Sequence, residues 1–372
     1  MKYILSILLL VVTISCSNEQ DIVTDDNVKK ISFRFNKNIR NDEPLKMSQL
    51  YDSVRYVMLD DVGQTVLIGE VTELCLDDEY MYIFDRKSDA VFKYDYNGQF
   101  IKKYHHKGRG PGEYVTLATF DVDRRNGNIV FYDLAQRKII VYSKDNNFLY
   151  EYRIKNDLPR DFAVLNNGDH VFLTYDYMKG VRRGIWQCDS MGVMKRPLVE
   201  IDESFKFSSG LLPTYFRHLD NTVYVRGSED SNYLYHIYPD SITTPYQFDI
   251  DIKIPDRIRT SPLPEMSDKN RGKVYAVTGY LETKKWIVVS ATDLKEQHAI
   301  FYNKVNNSQH YVSSPDDVID DMPPTGVIMA TTKDTFVGVL SVGYILSYQK
   351  TREMFPLINE DSNPVISISK VL

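Results

Sequence analysis

The feature that most constrains the fold of this 372-residue chain is an internal repeat with a fixed offset of 48 residues. Residues 83–104 align with residues 131–152, and apolar or aromatic side chains match along the whole segment. The aligned pairs include Ile83 with Phe131, Phe92 with Ile140, Phe100 with Phe148, and Tyr104 with Tyr152. A repeat of this length is typical of solenoids, propellers and arrays, because one unit cannot bury its own apolar face. We therefore expect similar units that pack on one another.

The repeated units consist of short apolar runs separated by turn residues, which is the pattern of β-strands joined by hairpins. Asn97-Gly98 and Asn126-Gly127 each lie between two such runs, and Asn-Gly is a strong hairpin signal. The chain also contains 27 Tyr and 17 Phe, residue types that favour half-buried pleated surfaces. Patterns long enough for a helix are nearly absent, so the sequence predicts an all-β protein.

The runs group into five units of four strands between residues 71 and 313, and a sixth unit begins at residue 327. Because four-stranded units around a channel form a propeller, we predict a six-bladed β-propeller with four-stranded antiparallel blades. Residues 327–331, 335–340 and 344–348 are assigned to the sixth blade, and an N-terminal strand at 54–59 is expected to complete it and close the ring. A pair of β-sandwiches is the alternative, but it would not explain the offset.

Two further runs are predicted to be strands, without assignment to a blade. Residues 31–35 alternate with period two, as a half-buried strand does, and residues 364–368 form an apolar run near the C-terminus. Cys75 and Cys188 belong to different, non-adjacent units. We therefore expect two free, buried thiols and no disulfide, even in an oxidising compartment.

The first 15 residues have the form of a bacterial signal peptide. Lys2 supplies a positive start, and residues 3–14 form an apolar run that is too short to span a bilayer. The run ends at Ser15-Cys16, which resembles the lipobox of bacterial lipoproteins, although Thr13 replaces the usual Leu. The resemblance implies lipidation of Cys16, and an ordinary signal peptide is the alternative.

Residues 16–30 are polar and lack apolar periodicity, so they are predicted to be a flexible tether ahead of a propeller that spans residues 31–372. A lipidated protein of this kind is expected at the outer membrane, on the cell surface or facing the periplasm. Acidic residues directly after Cys16 resemble the export signals of surface lipoproteins. The membrane would then be contacted through the lipid anchor only.

A second resemblance concerns the repeats themselves. Residues 108–114, which contain three glycines and a proline, are followed by residues 120–123 and 137–142 in an order that resembles the NHL-type propeller repeat. Over residues 30–372 the chain resembles the six-bladed β-propeller lipoproteins (NHL/TolB-like) of gut Gram-negative bacteria. The resemblance implies the propeller fold and says little about a ligand.

The charge pattern and the motifs exclude several classes of function. The formal net charge is −6 with acids and bases interspersed, so there is no basic stripe for nucleic acid. The glycines at 108–112 do not form a phosphate loop, because Pro111 interrupts them and strands follow. The seven histidines lack metal-ligand spacing, so neither a metal nor a cofactor is predicted. No nucleophile motif occurs, and no carboxylate pair stands out among the many.

Binding residues are expected in loops that gather on one face around the channel of a rigid scaffold. The loops after the second and fourth strands of the units supply seven candidate ligand-binding residues: Arg86, Lys87, Arg109, Glu113, Arg137, Tyr177 and Arg182. A solvated charged rim is the alternative interpretation. We expect a non-enzymatic binding or scaffold module for a glycan, a peptide or an envelope protein partner. The alternatives are a polysaccharide hydrolase or lyase with its site at the central channel, and a structural subunit of an uptake complex.

Overall fold

The computed structural model describes residues 28–35, 46–155, 158–174, 183–200, 216–226, 233–250, 276–292, 297–312 and 324–372. Over these ranges the chain forms six four-stranded antiparallel blades, one of them extended by a parallel strand, arranged as a six-bladed β-propeller. The predicted fold class is confirmed. The first strand of a blade lies innermost, and five of these strands contribute residues to the wall of the central channel.

Two strands precede the repeats, and both join sheets that are formed by much later parts of the chain. They are β1 (Lys29–Phe33) and β2 (Tyr51–Met58), with a short 3-10 helix (Met47–Gln49) directly before β2.

The first three blades follow the chain in order. Blade 1 contains β3 (Val71–Leu76), β4 (Tyr80–Asp85), β5 (Ala90–Asp95) and β6 (Phe100–Tyr104). Blade 2 contains β7 (Leu117–Asp123), β8 (Asn128–Asp133), β9 (Lys138–Tyr142) and β10 (Phe148–Arg153). Blade 3 contains β11 (Asp161–Val164), β12 (His170–Thr174), β13 (Gly184–Cys188) and β14 (Met194–Glu200).

The last three blades include the two N-terminal strands. Blade 4 contains β15 (Arg217–Leu219), β16 (Thr222–Arg226), β17 (Tyr233–Ile237) and β18 (Ile242–Ile250), with β1 added as a fifth strand. Blade 5 contains β19 (Ala276–Glu282), β20 (Trp286–Thr292), β21 (Gln297–Asn303) and β22 (Gln309–Val312). Blade 6 contains β23 (Val327–Thr331), β24 (Thr335–Leu340) and β25 (Val365–Val371), with β2 as its outermost strand.

The N-terminal strand β2 closes the ring, as predicted. It pairs antiparallel with β25, from Tyr51 opposite Val371 to Met58 opposite Val365. Asn363, just before β25, adds a second connection, because its side chain accepts from Ile68 N–H at 2.8 Å and donates to the carbonyl of Val66 at 2.8 Å. The segment that leads from β2 to blade 1 is therefore held by the C-terminal part of the chain.

The predicted strand at 344–348 is wrong. This segment lies in two short helices, α1 (Val342–Ser347) and α2 (Gln349–Met354), which connect β24 to β25. The Ser341 side chain caps α1 by accepting from Tyr344 N–H at 3.2 Å. A short apolar run does not distinguish a strand from a helical turn, and the third strand of the blade is instead the predicted C-terminal one. No described helix is long and apolar enough to cross a membrane.

The predicted strand at 31–35 corresponds to β1, which ends at Phe33. Strand β1 pairs in parallel with β18, with Lys29 opposite Tyr246 and Phe33 opposite Ile250. Phe33 is buried between the rings of Phe248 and Tyr302, so the strand packs against blade 5 as well as blade 4. The N-terminal segment therefore joins two neighbouring blades.

The 48-residue offset corresponds to a repeated hydrogen-bond arrangement in blades 1 and 2. Asp85 ends the second strand of blade 1 and accepts from Glu70 N–H at 2.7 Å, just ahead of the first strand. Asp133 holds the same place in blade 2 and accepts from Val115 N–H at 2.8 Å. Each carboxylate therefore ties the turn after the second strand to the residues before the first.

The glycine-rich stretch at 108–114 connects blade 1 to blade 2. It lies between β6 and β7, and Gly112 adopts a φ of +76°. A side chain at Gly112 would be strained by that φ and would approach the ring of Phe148 to 2.9 Å. The Glu113 carboxylate accepts from Gly110 N–H at 2.7 Å, which stabilises the turn.

A charge on the buried side of β2 is expected to open the ring. Val57 is 3% exposed and packs in the core shared by blades 6 and 1, whereas its neighbour Met58 is 49% exposed. Val57→Asp should cost about 3 kcal/mol or more, because it buries an unpaired charge. Met58→Asp is the matched control and should change stability by less than about 0.5 kcal/mol. Thermal unfolding measures both, and equally small effects would contradict closure through β2.

Removal of one aromatic ring from β1 tests whether that strand is part of the folded propeller. Phe33 is fully buried and Ser32 is exposed. Phe33→Ala is expected to destabilise the domain by about 3–5 kcal/mol. Ser32→Ala should have little effect on urea unfolding. If both variants unfold at the wild-type midpoint, β1 is not a stabilising part of blade 4.

Candidate functional site

The innermost strand of each blade runs from one end of the central channel to the other, so the residues before and after these strands line its two mouths. Five of the predicted binding residues lie where the innermost strands begin, a region called here the rear mouth: Arg86, Lys87, Arg109, Glu113 and Arg137. Arg86 N–H donates to the carbonyl of Glu70 at 3.0 Å, one residue before β3. Its guanidinium donates to the carbonyl of Leu117, the first residue of β7, at 2.9 Å.

At the rear mouth these side chains belong to turns of blades 1 and 2 or to the segment that connects the two blades. The Arg86 guanidinium also lies 4.6 Å from the centre of the Phe84 ring, so it braces the junction between the blades. Lys87 packs against Gly69, and Arg109 and Arg137 are exposed. Tyr177, Arg182 and the lipidation candidate Cys16 lie outside the described residues.

The opposite mouth opens into a cavity of about 990 Å³, which we call the funnel. Its wall is formed mainly by the turns that join the first and second strands of blades 1, 2, 3, 4 and 6. The lining residues are Leu76, Asp77, Asp78, Glu79, Tyr80, Tyr82, Lys93, Arg124, Arg125, Asn126, Gly127, Lys144, Asn166, His218, Asp220, Asn221, Thr331, Thr332, Lys333 and Asp334. The sequence analysis placed the candidate site at the other mouth and did not identify the funnel.

The funnel is polar throughout. Among its described lining residues, Leu76 is the one aliphatic side chain, and the others are charged groups, amides, hydroxyls, a histidine, a glycine and two tyrosines. Hydrogen bonds hold the wall in place: Asp77 accepts from Tyr80 N–H at 2.6 Å and from the Tyr82 hydroxyl at 2.9 Å. The cavity therefore presents many fixed hydrogen-bonding groups.

Arg124 and His218 form the floor of the funnel. Nε2 of His218 lies 2.9 Å from Arg124 Nη1 and 2.9 Å from Asp121 Oδ2, so it can accept from the arginine or donate to the carboxylate, but not both at once. Burial and the Arg124 charge lower the pKa of His218, which keeps the imidazole neutral at pH 7. Burial alone would raise the pKa of Asp121, but His218 and Arg124 hold that pKa well below its usual range.

Below this floor the channel narrows to a cavity of about 50 Å³. Thr119 Oγ1 lies 2.9 Å from Glu73 Oε2 and 3.4 Å from Asp161 Oδ1, so two buried carboxyl groups meet at one hydroxyl. Burial and the neighbouring Asp161 raise the pKa of Glu73 well above its ordinary value. A cavity of this size admits only a few water molecules.

The two cysteines of the described chain are free and buried, as predicted. Cys75 Sγ lies 3.4 Å from Asp121 Oδ1, on the wall of the narrow channel. Burial raises the pKa of both thiols, so neither is a thiolate at neutral pH. Within the described residues, no group of three or more His, Cys, Asp or Glu side chains is arranged to hold a metal ion.

Comparison with solved structures finds similar folds. A Bacteroides fragilis protein described as exported has 18% identity and a TM-score of 0.74, covering 92% of this chain and 100% of that chain. A member of the DUF4221 family from Bacteroides vulgatus has 9% identity and a TM-score of 0.47, covering 87% and 97%. Virginiamycin B lyase from Staphylococcus aureus has 12% identity and a TM-score of 0.43, covering 85% and 99%. At 18% identity the similarity to the Bacteroides fragilis protein shows the fold alone.

Comparison with curated proteins finds no match. A family model described as "Domain of unknown function (DUF4934)" matches residues 30–370. The six blades of the structure confirm the propeller expected from the repeats, while the finer NHL/TolB-like resemblance stays a prediction. Because the matched residues include every blade, the chain belongs to the DUF4934 family.

Proposed function

We propose that this propeller is an envelope-anchored binding module that takes a glycan in the funnel and does not transform it. The observation that carries the proposal is the lining of the funnel, which is polar at nearly every described position. A volume of about 990 Å³ accommodates a ligand of several sugar units.

The lining favours a glycan over a peptide or a folded partner. Sugar hydroxyls both donate and accept hydrogen bonds, and the amides of Asn126, Asn166 and Asn221 can do the same in return. Peptide recognition usually relies on a free strand edge or on apolar pockets for side chains. With Leu76 as the one aliphatic residue among the described lining, the funnel offers no such pocket.

The wall is also preorganised, which reduces the entropy cost of binding. Asn126 Oδ1 accepts from Asn128 N–H at 2.9 Å, and Asn166 Nδ2 donates to the carbonyl of Asn221 at 2.8 Å, which links the turns of blades 3 and 4. Turns that are braced in this way on a rigid propeller resemble the loops that carry binding sites on other scaffolds.

A polysaccharide hydrolase or lyase is the second candidate, and the carboxyl groups of Glu73 and Asp161 are the observation that favours it. They approach one hydroxyl in the channel, and burial keeps Glu73 protonated, as a general acid requires. Glu73 lines the narrow cavity of about 50 Å³ below Arg124 and His218, which is too small for a sugar ring. Binding without catalysis is therefore the better supported function.

The proposed site can be tested by filling the funnel. Lys144 is exposed and lines it, whereas Arg109 is exposed at the rear mouth. After a glycan array identifies a saccharide, calorimetry should show that Lys144→Trp weakens its binding about 10-fold or more, because the indole occupies the cavity. Arg109→Trp is the matched control and should bind as the wild type does.

Two outcomes would overturn the proposal. If Arg109→Trp abolishes binding and Lys144→Trp does not, the ligand site is at the rear mouth. If the saccharide is cleaved during incubation and Glu73→Gln stops the cleavage, the protein is an enzyme that uses the channel carboxyl groups.

The envelope anchor is supported by the apolar run at 3–14 and by the Cys that ends it. Lipidation of Cys16 predicts that the protein fractionates with membranes and that Cys16→Ala releases it into the soluble fraction. Ser17→Ala is the matched control and should remain with the membranes. Fractionation of Cys16→Ala together with the wild type would show that Cys16 is not the anchor.

A further inference from the structure

We infer that Lys93 is the anion-recognising residue of the funnel and that the glycan taken there is acidic, carrying a carboxylate or a sulfate. The inference rests on the proposed function, because it names the ligand class of the same site.

Lys93 occupies a position where an ammonium group is unusual. It lies in the third strand of blade 1, is 6% exposed and lines the funnel. The 48-residue offset aligns it with Val141, a buried core residue of blade 2. Blade 1 therefore has a buried cation at a place where its repeat partner has an apolar side chain.

The ammonium of Lys93 lies against aromatic rings and forms no ion pair within the described residues. Its Nζ lies 3.6 Å from the centre of the Tyr80 ring and 5.2 Å from the centre of the Tyr82 ring. Within the described part of the chain, no oxygen accepts a hydrogen bond from this ammonium and no carboxylate forms an ion pair with it. Cation–π contacts attract the charge, but they leave the three N–H donors without acceptors.

Two other poorly exposed lysines in the described part of the chain are paired. Lys138, which is 2% exposed, donates to Glu151 Oε2 at 2.8 Å, and Lys304 donates to Glu282 Oε1 at 2.8 Å. A buried ammonium is costly without such a partner. Because Lys93 lines the funnel, its missing acceptor can come from a molecule bound there.

The carboxylate of Asp77, in the same blade, already accepts other hydrogen bonds. Asp77 holds its own turn by accepting from two backbone N–H groups and from the Tyr82 hydroxyl. Burial lowers the pKa of Lys93, whereas the charges of Asp77 and Glu79 raise it. A net lowering of the pKa is the response of an ammonium that lacks a close counter-ion. Arg124 and Lys144 also line the funnel, whose described lining contains equal numbers of Lys or Arg and of Asp or Glu residues.

A carboxylate or sulfate on the ligand would supply the acceptor oxygens that Lys93 lacks. Charge-assisted hydrogen bonds of this kind are about twice as strong as neutral ones. The hydroxyl groups of the same glycan would bond to the amides and carboxylates around the rest of the wall. An acidic glycan therefore complements both parts of the funnel.

The test compares three monosaccharide probes at constant ionic strength: glucose, glucuronate and glucose 6-sulfate. Binding to the full-length protein is followed by calorimetry and by the shift in melting temperature, since a ligand that binds the native state raises it. The wild type should prefer at least one of the two acidic probes to glucose. Lys93→Met, which keeps the volume and removes the charge, should weaken that binding about 10-fold or more.

Lys103→Met is the matched control, because Lys103 is an exposed lysine of the same blade and is not among the lining residues of the funnel. It should bind the acidic probe as the wild type does. A preference for glucuronate indicates a carboxylate ligand, and a preference for the sulfate indicates a sulfated one.

Three results would overturn the inference. Equal binding of glucose and both acidic probes would show that the funnel does not select an acidic glycan, while glycan binding in the funnel would still stand. Unchanged acid binding in Lys93→Met, with a lower melting temperature of the unliganded variant, would make Lys93 a structural residue. If none of the probes binds and Lys144→Trp leaves every glycan-array signal unchanged, the proposed function fails together with the inference.

Discussion

The pairing of β2 with β25 is the interaction on which the rest of the propeller depends. A blade is a small sheet with two apolar faces, and it cannot bury both without a neighbour on each side. Val57 and Ile366 pack in one core with Leu74 and Met81, so this pairing gives blades 1 and 6 their shared interface. The funnel uses turns from both of these blades, and their relative positions are fixed only when the ring is closed.

Buried carboxylates connect the innermost strands from one blade to the next. Asp121 of blade 2 accepts from Val164 N–H of blade 3 at 2.7 Å, and Asp161 of blade 3 accepts from Phe216 N–H, beside blade 4, at 2.8 Å. These bonds satisfy backbone groups that face the channel, where little water is available. They also explain why acidic residues gather in the channel.

Much of the fold could be predicted from the sequence, because the offset and the hairpin dipeptides are local signals. The mouth that carries the cavity could not be predicted from the sequence, because polar turns line both mouths. Which mouth widens depends on side chains that meet only in the closed ring, such as Arg124 and His218. Lys93 did leave a signal, as the one charged residue in a run that aligns with the apolar residues 139–142. The helix at 342–347 was missed because a capping serine, rather than periodicity, decides its structure.

The placement of β1 has a consequence for the order in which the chain can assemble. Ile31, Phe33 and Phe35 are made early during synthesis, yet they pack against Phe248 and Tyr280. A chain that emerges from its N-terminus carries these apolar side chains unsatisfied until more than half of its length has followed. During that interval the nascent segment can associate with other chains. A chaperone that shields residues 31–35 would therefore act on the step at which this propeller is most prone to aggregate.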